Sequence, residues 1–485
     1  MHEHDMVIKN GSVVFPYVGV QKTDIGIKNG KISAIGANIA ADSAKQVLDA
    51  TDRYVFPGAV DSHFHVGIYR PLAEDAVSES TSAASGGVTT ILSYFRTGQD
   101  YLNKVGPFKE ILPELVEISE KSFLTDFGYH IACMTDGHLE EIEWLVTQGG
   151  VSTLKYYMFY KLLTLAGATP EAKNYLMIDN SVDFGYLYRY MQEVARVNRL
   201  YRQYGAISLS VHCENPEVIQ ATQAAVKANP SGVPMKDYSN ARPPWQEELA
   251  INEVAIMAKY ADCPINLLHL SSQKAVEAGT DVTERYPQVP FLMEGTLHHL
   301  GLSNDMDLDQ TAKVNPPIRG RADVEFLWQA LMDNRLKTVV SDHACPPLKR
   351  KDGDLWTCMP GFGGTSLMFP VLITEGYHKR GMPLHRIAEV NSANPARYHN
   401  LYPKKGAVMV GSDADFAIVD IDTEKQITLE SLYTAQEFSP ELGMKYKGWP
   451  DITVLRGQII FKNGRIVGKP GNGQFIKRPV KLHYT

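Results

Sequence analysis

Hydrophobic runs and helical spacing alternate through the middle of the chain, from about residue 54 to residue 394. Such alternation is typical of βα units around a parallel sheet. The apolar, strand-like runs are VFPGAVDSH, GVTTILSYF, TDFGYHIAC, STLKYYMF, AISLSVHCE, PINLLHLSS, VPFLMEGT and LKTVVSDHA. Helical spacing marks residues 139–146, 186–204 and 246–260 between them. Eight strands with helical crossovers predict a (β/α)8 TIM-type barrel with insertions, within the α/β class. An open doubly wound sheet is the alternative, but no G-x-G-x-x-G follows the first strand.

The two ends of the chain share a different pattern. Segments 7–14, 25–36 and 459–467 each place Asn-Gly between strand-like runs, and residues 407–422 and 452–461 alternate like strands. Asn-Gly suits the type I′ turn of a tight hairpin. We expect one small β-sandwich domain built from both ends; two unrelated β appendages are the alternative. The expected boundaries are 1–56 and 396–470 for the β-sandwich, 57–395 for the catalytic barrel and 471–485 for a C-terminal tail.

Composition narrows the class of protein. The 485 residues are 44% hydrophobic with a formal net charge of −7. These values favour a packed core over disorder and argue against nucleic-acid and anionic-membrane partners. The chain has no run of 18 apolar residues and no secretory signal at its start. Its five cysteines show no CxxC spacing, which indicates a reducing compartment. The expected location is the cytoplasm.

Candidate chemistry gathers near the ends of five predicted strands. The residues concerned are His63, His65, Lys155, His212, His269 and Asp342. In a barrel the carboxyl ends of all strands open onto one face, so residues far apart in sequence meet there. His63 and His65 are two positions apart on a strand and therefore share one side of it. The pattern predicts a metal site.

Each of these residues also has a structural interpretation. A single histidine near a strand end is more often a hydrogen-bonded structural residue, and Asp342 could cap a following helix. Lys155 faces either solvent or the low-dielectric barrel mouth, where desolvation lowers the pKa of its amine. A neutral amine there can react with carbon dioxide, and the resulting carbamate has two oxygens that can bridge two metals. The alignment of all these residues at one rim favours the metal site.

The motifs DSHFH, TLKYYMFY, VHCEN, LLHLSS, KVNPPIR, SDHACPP, NPARY and GSDADFAIVD resemble the amidohydrolase superfamily. Within it the chain resembles the cyclic amidohydrolases, namely dihydropyrimidinases and hydantoinases, allantoinases and dihydroorotases. The resemblance covers nearly the whole chain.

The resemblance implies two divalent metal ions, with zinc favoured and manganese, cobalt or iron as alternatives. It implies that one zinc is held by His63, His65 and Asp342, and the other by His212 and His269. Lys155, as N6-carboxylysine formed from CO2, would bridge them. A hydroxide between the metals would be the nucleophile, and Asp342 would carry its proton to the leaving ring nitrogen.

The resemblance also implies substrate contacts. Tyr160 lies five residues after Lys155, where hydantoinase-like enzymes carry a tyrosine that donates to the oxyanion; Tyr156 and Tyr157 are alternatives. Asn315 lies where relatives contact the ring amide, although Asn before Pro-Pro also suits a turn. In the loop from Cys358 to Gly364, Gly361 and Gly363 are backbone candidates for substrate binding.

Departures from the family's motifs indicate which substrates the site would accept. Dihydroorotases carry an arginine two residues after the second histidine; here that residue is Gly67, and Arg70 is the nearest replacement. The Pro-Asn-Gly stretch of typical dihydropyrimidinases and D-hydantoinases is absent, and the Gly-rich loop in its place is similar to that of allantoinases. Aromatic residues are expected to line the rim, and they suit a neutral, flat ring. They are Phe64, Tyr69, Tyr157, Phe159 and Phe362.

We therefore expect a hydrolase that opens a cyclic amide or ureide, a dihydropyrimidine or 5-substituted hydantoin, to an N-carbamoyl amino acid. An allantoinase or dihydroorotase is the alternative. A non-catalytic scaffold similar to the collapsin response mediators is less favoured, because all six metal-site residues are present. The resemblance suggests a homotetramer, and the tail from Lys469 is expected to reach a neighbour. His298 and His299 are expected in a solvated loop, with one of them lining the pocket as the alternative.

Overall fold

The computed structural model describes residues 2–161, 176–177 and 181–484. In chain order the strands are β1 His4–Lys9, β2 Ser12–Phe15, β3 Gly19–Lys22, β4 Asp24–Lys28, β5 Lys31–Gly36, β6 Ala44–Asp49, β7 Tyr54–Pro57, β8 Ala59–His65, β9 Val88–Arg96, β10 Asp126–Ala132, β11 Thr153–Tyr157, β12 Ser208–His212, β13 Ile265–Leu267, β14 Phe291–Thr296, β15 Thr338–Val340, β16 His343–Ala344, β17 Phe416–Asp420, β18 Lys425–Gln426, β19 Lys445–Tyr446, β20 Trp449–Leu455, β21 Gln458–Lys462 and β22 Arg465–Ile466.

The α-helices span Leu72–Ser85, Phe108–Ser122, Asp136–Glu140, Ile142–Thr147, Phe184–Tyr201, Pro216–Ala228, Pro234–Ala241, Pro244–Ala261, Gln273–Arg285, Leu297–Gly301, Arg321–Met332, Met368–Val371, Leu384–Ala388, Asn394–Tyr398, Leu429–Leu432 and Val480–His483. Short 3-10 helices lie at Ala41–Ser43, Gln310–Ala312, Leu348–Lys351 and Thr365–Leu367, and π-helical turns at Leu372–His378 and Glu389–Ala393. Of the three stretches predicted from spacing, 246–260 is wholly helical, 186–204 is helical as far as Tyr201, and 139–146 is divided at Glu141 between two short helices. Among the described residues, none of these helices is both long and apolar enough to cross a bilayer.

The predicted parallel barrel is confirmed. Neighbouring strands from β8 to β15 pair in parallel and in sequence order. Only Ser341 and Asp342 separate β15 from β16, so these two form one interrupted eighth strand. Since β16 pairs with β8, the sheet closes on itself. Closure brings the carboxyl ends of all eight strands to one face.

The second unit is a β-sandwich built from both ends of the chain, as predicted. One sheet has the order β22-β21-β20-β17-β7-β2-β3, and the other has the order β5-β4-β1-β6. Apolar side chains of both sheets form one buried cluster, in which Ile8 and Ile27 of the smaller sheet join Val55, Phe416 and Val454 of the larger. The C-terminal strands β17, β20, β21 and β22 thus complete a domain begun by the N-terminal strands.

The Asn-Gly pairs behave in two ways. Asn29 with Gly30 joins β4 to β5, and Asn463 with Gly464 joins β21 to β22, each as a two-residue hairpin with both φ angles positive. The hairpin expected at Asn10 is wrong, because β1 and β2 belong to different sheets. Asn10 has φ 66°, and there the chain crosses from one layer of the sandwich to the other.

The C-terminal tail packs against its own chain, and its expected contact with a neighbour stays a prediction. Phe475 forms a parallel bridge with Phe127 beside β10, and the Ile476 N–H donates to the Phe127 carbonyl at 2.8 Å. The Arg478 side chain is fully buried and donates to the Tyr129 carbonyl at 2.5 Å. The tail therefore packs directly against β10.

Candidate metal centre and active site

All six predicted metal-site residues line one cavity of about 210 Å³ at the carboxyl end of the barrel. His63 and His65 end β8, Lys155 lies in β11 and His212 ends β12. His269 follows β13, and Asp342 occupies the break between β15 and β16. Residues from five strands therefore meet, as the barrel topology requires.

The first group within the cavity is His63, His65 and Asp342. Asp342 Oδ1 lies 3.1 Å from His63 Nε2 and 3.3 Å from His65 Nε2. All three side chains offer ligand atoms within 4.8 Å of one another, the separation at which they can hold one metal ion. Asp342 has φ 49° and precedes β16, so it does not cap a helix.

The second group is His212 with His269, whose ring centroids are 4.5 Å apart. His212 Nε2 lies 2.9 Å from the buried Glu214 carboxylate, which orients the ring. Burial lowers the pKa of His269 and His63 well below the usual value, and that of His212 as well. These imidazoles are therefore neutral at neutral pH, the form that binds metals.

Lys155 lines the same cavity as these groups and is 1% exposed. Its Nζ is 4.5 Å from the ring centroid of Tyr94 and 4.6 Å from that of Tyr157. No carboxylate among the described residues lies within 4 Å of this amine. Desolvation lowers the pKa of Lys155 to about 7, although Asp342 and Glu294 act in the opposite direction. A large fraction of the amine is thus uncharged and nucleophilic near neutral pH.

These residues fit divalent metal ions. Among the described residues, His65 Nδ1 and His269 Nδ1 are buried without a hydrogen-bond partner. Four imidazoles, a carboxylate and a nucleophilic amine form a nitrogen and oxygen donor set of the kind that zinc prefers. The described part of the chain has two further ligand-type groups, Glu79 with His343 and Cys345, and Asp126 with Asp413 and Asp415, both of them away from this cavity.

The predicted substrate-contact residues are partly brought together. Tyr160, Asn315 and Gly361 line the cavity. The Gly361 N–H already donates to the Lys313 carbonyl at 2.9 Å. Gly363 does not line the cavity, and its N–H donates to the Gln436 side chain at 2.6 Å, so its assignment as a substrate contact is not supported by the geometry.

The three tyrosines that are candidates for the oxyanion donor differ in whether they line the cavity. The Tyr156 hydroxyl donates to the Val182 carbonyl at 2.6 Å and lies away from the cavity, whereas Tyr157 and Tyr160 both line it. The Tyr160 hydroxyl accepts a hydrogen bond from the buried Arg96 guanidinium at 3.0 Å.

Three of the five aromatic residues predicted for the rim line the cavity. Tyr69, Tyr157 and Phe159 line the cavity, but Phe64 stacks on His343 and Phe362 packs against His298. Phe64 lies in β8, whose residues are buried on both sides, so alternation along the strand did not show which side faces the site. Phe362 lies in a loop, where no periodicity applies.

Arg70, His298 and His299 do not line the cavity. Arg70 donates to the carbonyls of Cys345 and Ala435 outside the cavity, so it does not replace the arginine of dihydroorotases. The solvated loop expected for His298 and His299 is wrong. Both are buried in the helix Leu297–Gly301, and burial lowers the pKa of each.

Several neighbours of the site were not singled out by the sequence. Glu294 Oε1 lies 2.7 Å from His63 Nδ1 and 3.3 Å from the His269 N–H. Glu214 contacts His212, and Arg96 contacts Tyr160. A glutamate inside the apolar run VPFLMEGT was the available signal, since a buried charge in a strand needs a partner.

Comparison with known proteins places the chain among enzymes of known families. Residues 295–465 match the Amidohydrolase family, and residues 1–52 match the N-terminal domain of the urease alpha-subunit. An allantoinase of Rubrobacter xylanophilus is 30% identical over 481 residues, covering 98% of each chain. A D-hydantoinase of Geobacillus stearothermophilus is also 30% identical, over 97% of this chain and 96% of its own.

A solved structure agrees with these sequence matches. The crystal structure of a D-hydantoinase superposes with a TM-score of 0.85 at 27% identity, over 98% of this chain and 99% of the other. The chain belongs to the amidohydrolase family, in the group that contains the hydantoinases and allantoinases.

Proposed function

We propose that the protein is a metal-dependent hydrolase that opens the ring of a cyclic amide or ureide. The favoured substrate is a dihydropyrimidine or a 5-substituted hydantoin, and the product is an N-carbamoyl amino acid. The observation that carries the proposal is the meeting of His63, His65, Lys155, His212, His269 and Asp342 in one cavity. That geometry occurs in a chain whose full-length relatives include hydantoinases and allantoinases.

The metal centre is proposed to hold two divalent ions, Zn²⁺ by preference. His63, His65 and Asp342 would hold one ion, and His212 and His269 the other. Lys155, carboxylated by CO2, would bridge both, in keeping with its uncharged amine and its burial. When bound, such ions polarise the scissile carbonyl and lower the pKa of water.

Residues of the chain would have separate roles in proton transfer, oxyanion stabilisation and substrate binding. Asp342 accepts the proton of the attacking water and passes it to the leaving ring nitrogen. Tyr160 donates its hydroxyl proton to the carbonyl oxygen as negative charge develops there. Asn315 and Gly361 hold the ring beside these groups.

The cavity lining favours a neutral ring. Among the described residues that line it, Lys155 is the one lysine or arginine, and Arg70 is engaged elsewhere. A substrate carboxylate such as that of dihydroorotate would therefore lack a cationic partner. Allantoin is the second candidate, because allantoinases are among the relatives at 29–30% identity.

Two further properties are proposed from the relatives. The chain would act as a homotetramer in the cytoplasm, without nucleic-acid or membrane partners. A net charge of −7 and five unpaired, buried cysteines support this proposal.

Ring opening tests the proposed function. Zinc-loaded enzyme is assayed with dihydrouracil, a 5-substituted hydantoin, allantoin, dihydroorotate and a cyclic imide, while loss of the ring amide is followed. Turnover of dihydrouracil or the hydantoin supports the favoured substrate class, and turnover of allantoin alone supports allantoin as the substrate. A chelator-treated sample serves as the control. Absence of turnover across the panel, with two metals bound per chain, would contradict the substrate class.

A further inference from the structure

Tyr238 is a buried tyrosine whose hydroxyl contacts a residue that lines the cavity. It lies in the helix Pro234–Ala241 and is 2% exposed. Its hydroxyl lies 2.5 Å from Oδ1 of Asn315, and Asn315 lines the cavity. Tyr238 therefore contacts a residue that can reach the ring, without lining the cavity itself.

The hydrogen bond between these two residues has a defined direction. Burial raises the pKa of Tyr238 to about 12, so the phenol is protonated at neutral pH and can donate. An amide side chain has one acceptor oxygen and a nitrogen that only donates, and its orientation is assigned from its partners. Because Oδ1 of Asn315 accepts from Tyr238, the Nδ2 group of Asn315 is the part of the amide that can donate to another partner. No described residue accepts a hydrogen bond from Nδ2.

A buried network holds Tyr238 in place. The Arg242 guanidinium lies 5.3 Å from the centroid of its ring, and Lys313 Nζ lies 5.2 Å from it. Arg242 also donates to Glu214 at 2.8 Å, and Glu214 lies 2.9 Å from His212 Nε2. The ring thus lies close to two basic side chains that are themselves anchored, Arg242 by Glu214 and Lys313 by the Cys358 carbonyl. Such packing restricts the positions that the hydroxyl can take.

We propose that Tyr238 is a positioning residue that fixes the Asn315 amide as a hydrogen-bond donor toward the substrate. The site then selects rings with a second carbonyl oxygen beside the scissile amide, as cyclic ureides and imides have. A ring that presents an N–H or amino group at that point would place its own donor against the Asn315 donor, and no hydrogen bond would form. This inference rests on the proposed function and specifies the substrate feature that Asn315 recognises.

The first experiment compares Tyr238→Phe with Tyr129→Phe. Tyr129 is buried and its hydroxyl bonds Ser119 away from the cavity, so its variant controls for the loss of a buried hydroxyl. With the best substrate of the panel, Tyr238→Phe should raise KM about tenfold and change kcat less than about threefold, since a ring-holding contact is weakened. Tyr129→Phe should leave both constants unchanged. Equal kinetics of the two variants would overturn the inference.

The second experiment uses the half-buried Asn315. Asn315→Asp replaces the donor nitrogen by an oxygen while Tyr238 can still donate, so we expect a larger rise in KM than in Tyr238→Phe. Retained affinity in Asn315→Asp would mean that residue 315 accepts from the ring, which overturns the inference even if Tyr238→Phe fails to fold. In Asn315→Ala, adding Tyr238→Phe should have no further effect on KM, because Tyr238 acts through Asn315.

Zinc content measured for every variant shows whether the metal centre is intact. The two proposals can fail separately in these experiments. A wild-type enzyme that opens no ring contradicts the proposed function. An active wild type whose KM is unaffected by Tyr238→Phe contradicts the inference alone.

Discussion

Asp342 Oδ1 lies 3.1 Å from His63 Nε2, although the two residues come from the last and the first strand of the barrel. The contact exists because the interrupted eighth strand pairs with β8 and closes the sheet. Closure places the carboxylate against the histidine pair and on the same cavity as Lys155.

Lys155→Ala should lower kcat/KM by more than about 10³-fold, the scale for loss of one member of a group that acts as a unit. The reason is that the buried amine, whose pKa is about 7, can form the bridging carbamate. A short-chain carboxylic acid added to the variant should restore part of the activity by supplying a carboxylate. Full activity of the variant without added acid would remove the carbamate from the mechanism.

Asp342→Asn should lower kcat by about 10²–10⁴-fold, the range for general acid–base catalysis. The amide keeps one oxygen near His63 and His65, but it cannot accept and release the proton. Zinc content should fall much less than kcat, and the two are measured on the same preparation. Parallel losses would assign Asp342 to metal binding alone.

Tyr160→Phe should lower kcat by about 10²–10³-fold, as for removal of one oxyanion donor. Tyr156→Phe is the matched control, because its hydroxyl is bonded to Val182 outside the cavity. The two variants are compared by steady-state kinetics on one substrate. If Tyr160→Phe keeps the wild-type rate, the donor role passes to Tyr157 or is absent.

Glu294→Ala should weaken zinc binding by about 10–100-fold, the usual effect of removing the partner that orients a ligating histidine. Glu294 Oε1 lies 2.7 Å from His63 Nδ1, so the alanine variant frees the ring. Glu294→Gln keeps an acceptor oxygen and should bind zinc more tightly than Glu294→Ala. Competition with a chelator measures both affinities. Wild-type affinity in Glu294→Ala would show that the contact does not orient His63.

Local sequence patterns were sufficient for much of the fold and of the candidate site. Alternating strands and helices predicted a parallel barrel, and this topology alone places strand ends together. For that reason His63, His65, Lys155, His212 and His269 could be grouped from their positions near strand ends. The Asn-Gly hairpins at 29–30 and 463–464 were likewise readable, since a two-residue turn depends on its own φ angles.

Tertiary structure decided everything that depends on a partner distant in sequence. Asn10-Gly11 joins two sheets, although its local sequence resembles that of the true hairpins. Gly363 bonds Gln436, and Tyr238 bonds Asn315. In a barrel whose strands are buried on both faces, periodicity does not distinguish the cavity from the helix layer. Sequence determined which residue types end the strands, and chain packing determined which of them face the substrate.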